Sequence, residues 1–359
     1  MLKKYGLDKK KFDGAPPTVV VGMSGGVDSS VAAYILKWQG YNVIGLFMKN
    51  WEETTSGGFC PSEVDFADVK RVAEIIGIPY YSVNFSKQYM NSVFKVFLDG
   101  LEKGVTPNPD ILCNREIKFG PFLKKALEIG GDYVATGHYC RIKEGQLLKG
   151  VDDNKDQSYF LCGLSKKQLS KVMFPIGELR KDQVREIAKA ANLVTAEKKD
   201  STGICFIGER KFREFLKGYF GNQPGEIKTL DGKTIGRHEG LMYYTLGQRK
   251  GLGIGGVSEN TDRWFVVRKD LVNNVLFVNN GECPEMFTNV VIAENFNWIG
   301  GKVLNGRFTA KTRYRQPDQK CVVSENVKAI FDKLQRAVTP GQWLVLYDGD
   351  VCLGGGVIK

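Results

Sequence analysis

Near the start of the chain, Ser24-Gly25-Gly26-Val27-Asp28-Ser29 separates an apolar β-branched run, Val19-Val20-Val21, from a helix-forming run, Val31-Ala32-Ala33-Tyr34-Ile35-Leu36. Glycines let backbone N–H groups close around an anion, and a helix start adds unpaired donors and the positive end of its dipole. The chemistry implied is phosphate binding. The loop has neither the Lys-Ser/Thr ending of a Walker loop nor the glycine spacing of dinucleotide folds. Asp28 and Ser29 can serve a nucleotide directly or through Mg²⁺, a hard cation that takes oxygen ligands; either side chain can equally cap the helix. Thiols offer a second chemistry. Cys113 follows a loop stiffened by Pro107 and Pro109 and precedes a helix expected from Glu116. A helix N-terminus and Arg115 there would favour the thiolate. Cys205 lies in a loop-like run, Ser201-Thr202-Gly203-Ile204-Cys205-Phe206-Ile207-Gly208. Taken alone, each cysteine reads first as a buried, inert thiol.

Three further segments have binding chemistry. Lys155-Asp156-Gln157 combines cation, carboxylate and amide, and reads either as a binding segment or as a helix start capped by Asp156. Tyr244-Thr245-Leu246-Gly247-Gln248-Arg249-Lys250-Gly251 and the glycines after it lack a strand-to-helix setting. They suit backbone contacts to RNA phosphate better than a second nucleotide site. Lys311-Thr312-Arg313-Tyr314-Arg315-Gln316 alternates cations with an aromatic, which suits phosphate contacts and base stacking or, alone, a solvated strand face. Trp51 reads as a packing residue rather than a stacking one.

The elements that must position these residues follow from periodicity. Thr18–Met23, Asn42–Met48, Tyr80–Phe85 and Asp132–Thr136 read as buried strands; Ser29–Gln39, Val64–Ile76, Lys87–Lys103 and Glu116–Ile129 read as helices. Alternating β and α units imply an α/β, doubly wound parallel sheet whose ligands bind beyond the strands' carboxyl ends. Ser24–Ser29, Met48, Gly137 and His138 fall at those ends. Leu164–Asn192 reads as helical. Hairpin signals at Asp231-Gly232, Asn279-Asn280-Gly281 and Asp348-Gly349 imply a small middle domain and a C-terminal β-barrel or sandwich. The expected division is a short basic arm, free to be flexible, over residues 1–15, a nucleotide domain over 16–215, a middle domain over 216–280 and a β domain over 281–359.

A chain of 359 residues is long for one core. No run approaches the roughly 18 apolar residues of a membrane helix, and the lysine-rich start lacks the apolar stretch of a signal peptide. The expectation is a cytoplasmic protein. A net charge of +11 suits a polyanionic partner. Eight cysteines without a C-x-x-C pair, and only two histidines, point away from a structural zinc site, and no metal site is expected from such ligands.

Ser-Gly-Gly-Val-Asp-Ser resembles the PP-loop of ATP pyrophosphatases, which split ATP into AMP and pyrophosphate. With Asn108-Pro109-Asp110, Cys113-Asn114, Ala135-Thr136-Gly137-His138-Tyr139, Lys155-Asp156-Gln157-Ser158-Tyr159, the run around Cys205, Gly240-Leu241-Met242 and Arg313-Tyr314-Arg315-Gln316, the chain resembles the bacterial tRNA-specific 2-thiouridylases along nearly its whole length. The resemblance implies an adenine nucleotide hydrolase-like layer, a central domain and a C-terminal β-barrel. It implies ATP binding by Gly22, Met23, Ser24, Gly25, Gly26, Val27, Asp28, Ser29, Met48 and Gly137, with Asp28 catalytic and Mg²⁺ accompanying the nucleotide. Asn108, Pro109 and Asp110 would meet the target base, and Lys155, Asp156, Gln157, Arg313 and Tyr314 would contact tRNA. Cys205 would carry a persulfide and Cys113 would act as the second thiol, with a transient disulfide between them. The substrates implied are ATP and the tRNAs for Lys, Glu and Gln, modified at wobble uridine 34. A cysteine desulfurase or sulfur-relay protein would supply sulfur, and the chain would act as a monomer. Two other readings stand beside this one: a small-molecule amidotransferase or synthetase with the same loop, and a non-catalytic RNA-binding protein.

Overall fold

The computed structural model describes residues 2–52, 61–200, 212–254, 263–303 and 305–359. The β-branched and apolar runs form parallel strands β1 (Thr18–Met23), β2 (Asn42–Lys49), β3 (Tyr80–Asn84) and β4 (Tyr133–Ala135). A hairpin, β5 (Cys140–Lys143) and β6 (Gln146–Lys149), then leaves this layer, and β7 (Val172–Met173) returns to its edge. The strand order is β3-β2-β1-β4-β7. Val20 pairs in parallel with Ile44 on one side and Val134 on the other, and is fully buried. The chain therefore winds away from β1 in one direction and resumes on its other side at β4. That reversal opens a crevice beyond the carboxyl ends of β1 and β4.

β7 corrects the expected helix over Leu164–Asn192. Only Lys166–Leu169 and Lys181–Ala190 are helical there. Pro175 and Gly177 interrupt the helical pattern, and β-branched Val172 is free to pair with Val134.

The helix Phe212–Phe220 leads into a second sheet of β8 (Gly225–Thr229), β9 (Thr234–His238), β10 (Trp264–Asp270) and β11 (Val275–Asn280), in the order β10-β11-β8-β9. Asp231-Gly232 makes the β8–β9 turn, with Gly232 at φ +91°. Asn279-Asn280-Gly281, expected to be a hairpin, is the exit from β11. The β10–β11 turn is Leu271–Asn274, where Asn274 takes the left-handed conformation that asparagine tolerates.

The C-terminal strands β12 (Phe287–Trp298), β13 (Gly306–Lys311), β14 (Gln319–Val323), β15 (Lys328–Arg336), β16 (Trp343–Asp348) and β17 (Val351–Ile358) close a barrel through β12, which pairs with both β15 and β17. Closure removes the exposed edge that such a sheet would otherwise carry. The β5–β6 hairpin adds to this sheet through Leu148 opposite Val351, so the barrel is stitched to the nucleotide layer.

The lysine-rich start is not a flexible arm. Leu2 and Leu7 are buried in the core beneath the Val27–Gln39 helix, Lys4 pairs with Glu186, and Phe12 meets Tyr41 edge-on. Two buried leucines outweigh the solvation of the lysines around them. Fully burying such side chains is worth about 1.5–3 kcal/mol each. Deleting residues 2–12 should therefore cost about 3 kcal/mol or more in urea unfolding while leaving tRNA affinity within about twofold.

Candidate functional site

The Val27–Gln39 helix begins directly after Gly26, and its N-cap carries no side-chain hydrogen bond. Asp28 and Ser29 are thus not capping residues. Ser29 Oγ instead accepts from the Ser24 amide at 3.2 Å and donates to the Gly26 carbonyl at 3.1 Å, which closes the loop upon itself. Gly25 sits at φ +73°, and a methyl group there would lie 2.6 Å from the Asp65 carbonyl oxygen. Gly137, beyond β4, approaches more closely still: a Cβ would stand 2.6 Å from the Ser29 nitrogen and 2.7 Å from the Asp28 carbonyl carbon. Backbone thus meets backbone across the crevice, which only glycine permits at that position.

The Asp28 carboxylate points into this crevice and holds a cation. Lys181 Nζ donates to its two oxygens at 2.6 and 2.8 Å, and the Tyr139 hydroxyl donates at 2.7 Å. Burial and the neighbouring Asp28 charge push the Tyr139 phenol far up, so it stays a donor. Lys181 also meets Asp200 at 2.8 Å, which Lys155 and Arg185 reach at 2.6 and 2.9 Å. Burial by itself would raise the Asp200 carboxyl, but the Lys155 and Lys181 hydrogen bonds outweigh it and draw the pKa down to about 2. One residue pair earlier, Lys198 binds Asp65 and Asp68. The chain is thereby anchored at the nucleotide loop as far as Asp200, five residues before Cys205. Cys205 itself lies outside the described residues.

Cys113 is placed differently from the sequence expectation. It does not precede a helix starting at Glu116. The helix starts at Asn108, whose side-chain oxygen accepts from the Asp110 and Ile111 amides at 3.2 and 3.1 Å, with Pro109 in the first turn. It runs through Cys113 into a π turn, Asn114–Lys118, and a new helix starts at Pro121. Cys113 is fully buried in a core that also contains Met48, Trp51 and Met242. Trp51 packs edge-on against Tyr89, Phe94 and Phe215, a packing role as read from its sequence setting.

Of the expected RNA contacts, Lys155 faces Asp200, and Gln157 accepts the Tyr139 amide at 3.0 Å. Asp156 is buried; its carboxylate accepts from the Gly150 and Ser158 amides and the Ser158 hydroxyl, so it shapes the turn that presents its neighbours. One Arg313 nitrogen donates to the carbonyls of Leu246 and Ala337 and to the Thr339 hydroxyl. Tyr314 packs against Phe160 with ring centroids 4.2 Å apart and the planes tilted by 42°.

The chain matches known sequences over most of its length. Residues 17–209 match the family model described as tRNA methyl transferase HUP domain, 213–280 its PRC-barrel domain, and 288–358 the aminomethyltransferase beta-barrel domain. The tRNA-specific 2-thiouridylase MnmA of Bacillus subtilis is 57% identical over 352 residues, covering 95% of this chain and 94% of its own. MnmA 1 of Geobacillus kaustophilus is 59% identical, covering 95% of each chain. The chain belongs to the tRNA-specific 2-thiouridylase family.

Beyond the residues expected from the 2-thiouridylase resemblance, the structure brings Lys181, Tyr139, Asp200 and Arg185 to the loop. Lys181 falls inside the stretch Leu164–Asn192 that read as helical, and only its distance to Asp28 reveals it. Asn50, just past β2, is 1% exposed, and neither polar atom of its side chain has a hydrogen-bond partner among the described residues. A buried amide in that state is costly, and its place at a strand's carboxyl end is where ligands bind.

Two outcomes follow. Gly137→Ala should leave the protein folded but weaken ATP binding at least about tenfold, measured by calorimetry, because the methyl group displaces the Asp28–Ser29 backbone. For Asp200, the folded pKa of about 2 lies below the ordinary value of 3.8. Its stabilisation is therefore complete above the ordinary value and lost as pH falls through the folded one. The difference in melting temperature between the wild type and Asp200→Asn should be flat from about pH 5 to 8 and vanish near pH 2.

Proposed function

We propose that the chain is an ATP-dependent sulfurtransferase that replaces the C2 oxygen of wobble uridine 34, in the tRNAs for Lys, Glu and Gln, with sulfur. The observation that carries this reading is the Asp28–Lys181–Asp200 chain of ion pairs. It ties the phosphate loop to Asp200, five residues before Cys205 in the sequence, which supports a reading that couples activation to sulfur delivery. The family model's description mentions methyl transfer, yet a methyltransferase would use neither a pyrophosphatase loop nor a thiol pair.

In this reading ATP lies with its phosphates in the Ser24–Ser29 loop and its base near Met48. Asp28, which already holds a cation at both oxygens, suits a Mg²⁺ carried by the phosphates, because such an ion uses only one or two protein carboxylates. The ion would supply neutralisation of phosphate charge. Lys181 can then exchange Asp28 for a phosphate oxygen.

A uridine carbonyl is a poor electrophile until its oxygen becomes a leaving group. The C2 oxygen attacks the α-phosphorus, forming an O–P bond while the bond to pyrophosphate breaks. The terminal sulfur of a Cys205 persulfide attacks C2, and the C2–O bond breaks with release of AMP. Cys113 as thiolate then attacks the Cys205 sulfur, leaving the outer sulfur on the base. The Cys113–Cys205 disulfide so formed is reopened by a cellular thiol. If Cys113 attacks before transfer, sulfide is freed and itself attacks C2. The base must leave the anticodon stack to be reached, which calls for regions that grip RNA. Residues 216–280 and 281–359, with Arg313 and Tyr314, and the Lys155–Gln157 segment are assigned that work, and Asn108, Pro109 and Asp110 meet the base. The sulfur comes from a cysteine desulfurase or relay protein, and the enzyme acts as a cytoplasmic monomer.

Purified protein should release pyrophosphate from ATP only when a substrate tRNA is present. Cys205→Ser should keep that release and lose 2-thiouridine, read by nucleoside mass spectrometry, and Cys113→Ser should also stop thiolation. Pyrophosphate release that ignores tRNA would remove the adenylation step; normal thiolation by Cys205→Ser would remove the persulfide.

A further inference from the structure

The loop before Asn108 is held by three parts of the molecule at once. Thr106 donates its amide to the Pro340 carbonyl at 2.8 Å, and its own carbonyl accepts Gln342 Nε2 at 2.7 Å. Both partners belong to the turn between β15 and β16 of the barrel. The Thr106 hydroxyl lies 3.4 Å from that of Thr245, in the glycine-rich segment of the central region. Two residues earlier, the Gly104 carbonyl accepts Lys269 Nζ from β10 at 3.1 Å, and Leu271 covers Gly104 so closely that a Cβ there would stand 2.7 Å from it. Gly341, at φ +89°, admits the approach: a Cβ on it would lie 2.9 Å from Thr106 backbone atoms.

The cost of these contacts argues that they are not incidental. Lys269 forms no ion pair among the described residues, and burial pushes its pKa down to about 8. A buried amine spent on one carbonyl is an expensive way to pin a loop. The same junction includes Arg313, which joins Leu246 of the central region to Ala337 and Thr339 of the barrel, immediately before Pro340. On the other side the loop passes through Pro107, whose ring presses on Gly100, into the Asn108 cap and the helix that ends at Cys113. A residue at the surface assigned to RNA is thus joined by consecutive contacts to the base-facing helix, with no long flexible span between.

We infer that Thr106 and its clamp of Lys269, Gln342 and the Pro340–Gly341 turn position the Asn108–Cys113 helix, so that tRNA seated on the central and barrel regions aligns the base contacts and the Cys113 thiol. These are positioning residues, since none needs to touch the reacting atoms. The inference rests on the thiolation reading and adds to it the route by which the gripping regions act on the chemistry. It also accounts for a thiol that is fully buried here yet must attack a sulfur: the helix that holds it is set by contacts that RNA can shift.

The test compares full-length wild type with Gln342→Ala, Lys269→Met and Lys269→Arg in thiolation of a tRNA-Lys transcript, with tRNA affinity by filter binding and ATP KM measured in parallel. Gln342→Ala and Lys269→Met should each lower kcat about tenfold or more at saturating tRNA, with both tRNA affinity and ATP KM within about twofold. Lys269→Arg, which keeps a donor for Gly104, should recover most of the rate. Melting curves identify any variant that fails to fold, and Gln342→Glu, which keeps the size but loses the donor, replaces Gln342→Ala in that case. Wild-type kcat in both variants overturns the inference. A rate loss matched by an equal loss of tRNA affinity also overturns it, because those side chains would then be gripping RNA. Wild type that makes no 2-thiouridine overturns the thiolation reading itself.

Discussion

Gly137 lies against the Asp28–Ser29 backbone more closely than any side chain would allow, and much of the site follows from that one approach. It holds the ends of β1 and β4 together at the point where the sheet reverses its winding. With those ends in contact, the phosphate loop cannot splay, and the first turn of its helix presents donors to one place. Tyr139, two residues past Gly137, is then within reach of Asp28, and its buried phenol is held as a donor. A methylene of slack there would unlock both the loop and the carboxylate.

From Asp28 the constraint passes outward through charge rather than through packing. Lys181 is shared by two carboxylates, and Asp200 by three cations, so no single ion pair carries the arrangement. Partly exposed pairs of this kind are individually weak. Their joint effect is positional: they bring the chain to the edge of the nucleotide loop before it continues to Cys205. Because Lys181 already compensates an anionic group, it can exchange that partner for a phosphate without a new charge being buried, an arrangement prepared for electrostatic stabilisation.

The parallel sheet and the loop were legible because each rests on local signals: β-branched runs alternating with helical ones, and a hexapeptide at one strand's end. The barrel and the central sheet were legible in kind from their turns. What escaped the sequence was decided by distant partners. Val172–Met173 became a strand only because the edge of β4 was open to it, and the lysine-rich start docked because Leu2 and Leu7 found a core. Cys113 showed the limit most clearly. Two prolines and a following glutamate suggested a helix that begins after it, whereas the Asn108 cap starts the helix before it and buries the thiol. Lys181 and Asp200, each more than 150 residues from Asp28, have types too common to single out. Only proximity gives them a role.

In the proposed thiolation, a buried thiol and a distributed clamp are two sides of one requirement. A persulfide is a reactive sulfur that water, oxidants or a second thiol will consume, so a competing thiol nearby is a hazard until substrate is in place. Burying Cys113 at the end of a capped helix shields it from solvent. Releasing it then has to depend on the substrate and not on thermal opening. tRNA is too large to enter the crevice, and only its flipped base and neighbours can. The signal that the right polymer has arrived must therefore come from surfaces outside the crevice, and the contacts of Thr106 with Pro340, Gln342 and Thr245 are where those surfaces meet the thiol's own helix. In that reading, specificity and protection of the sulfur draw on the same few hydrogen bonds.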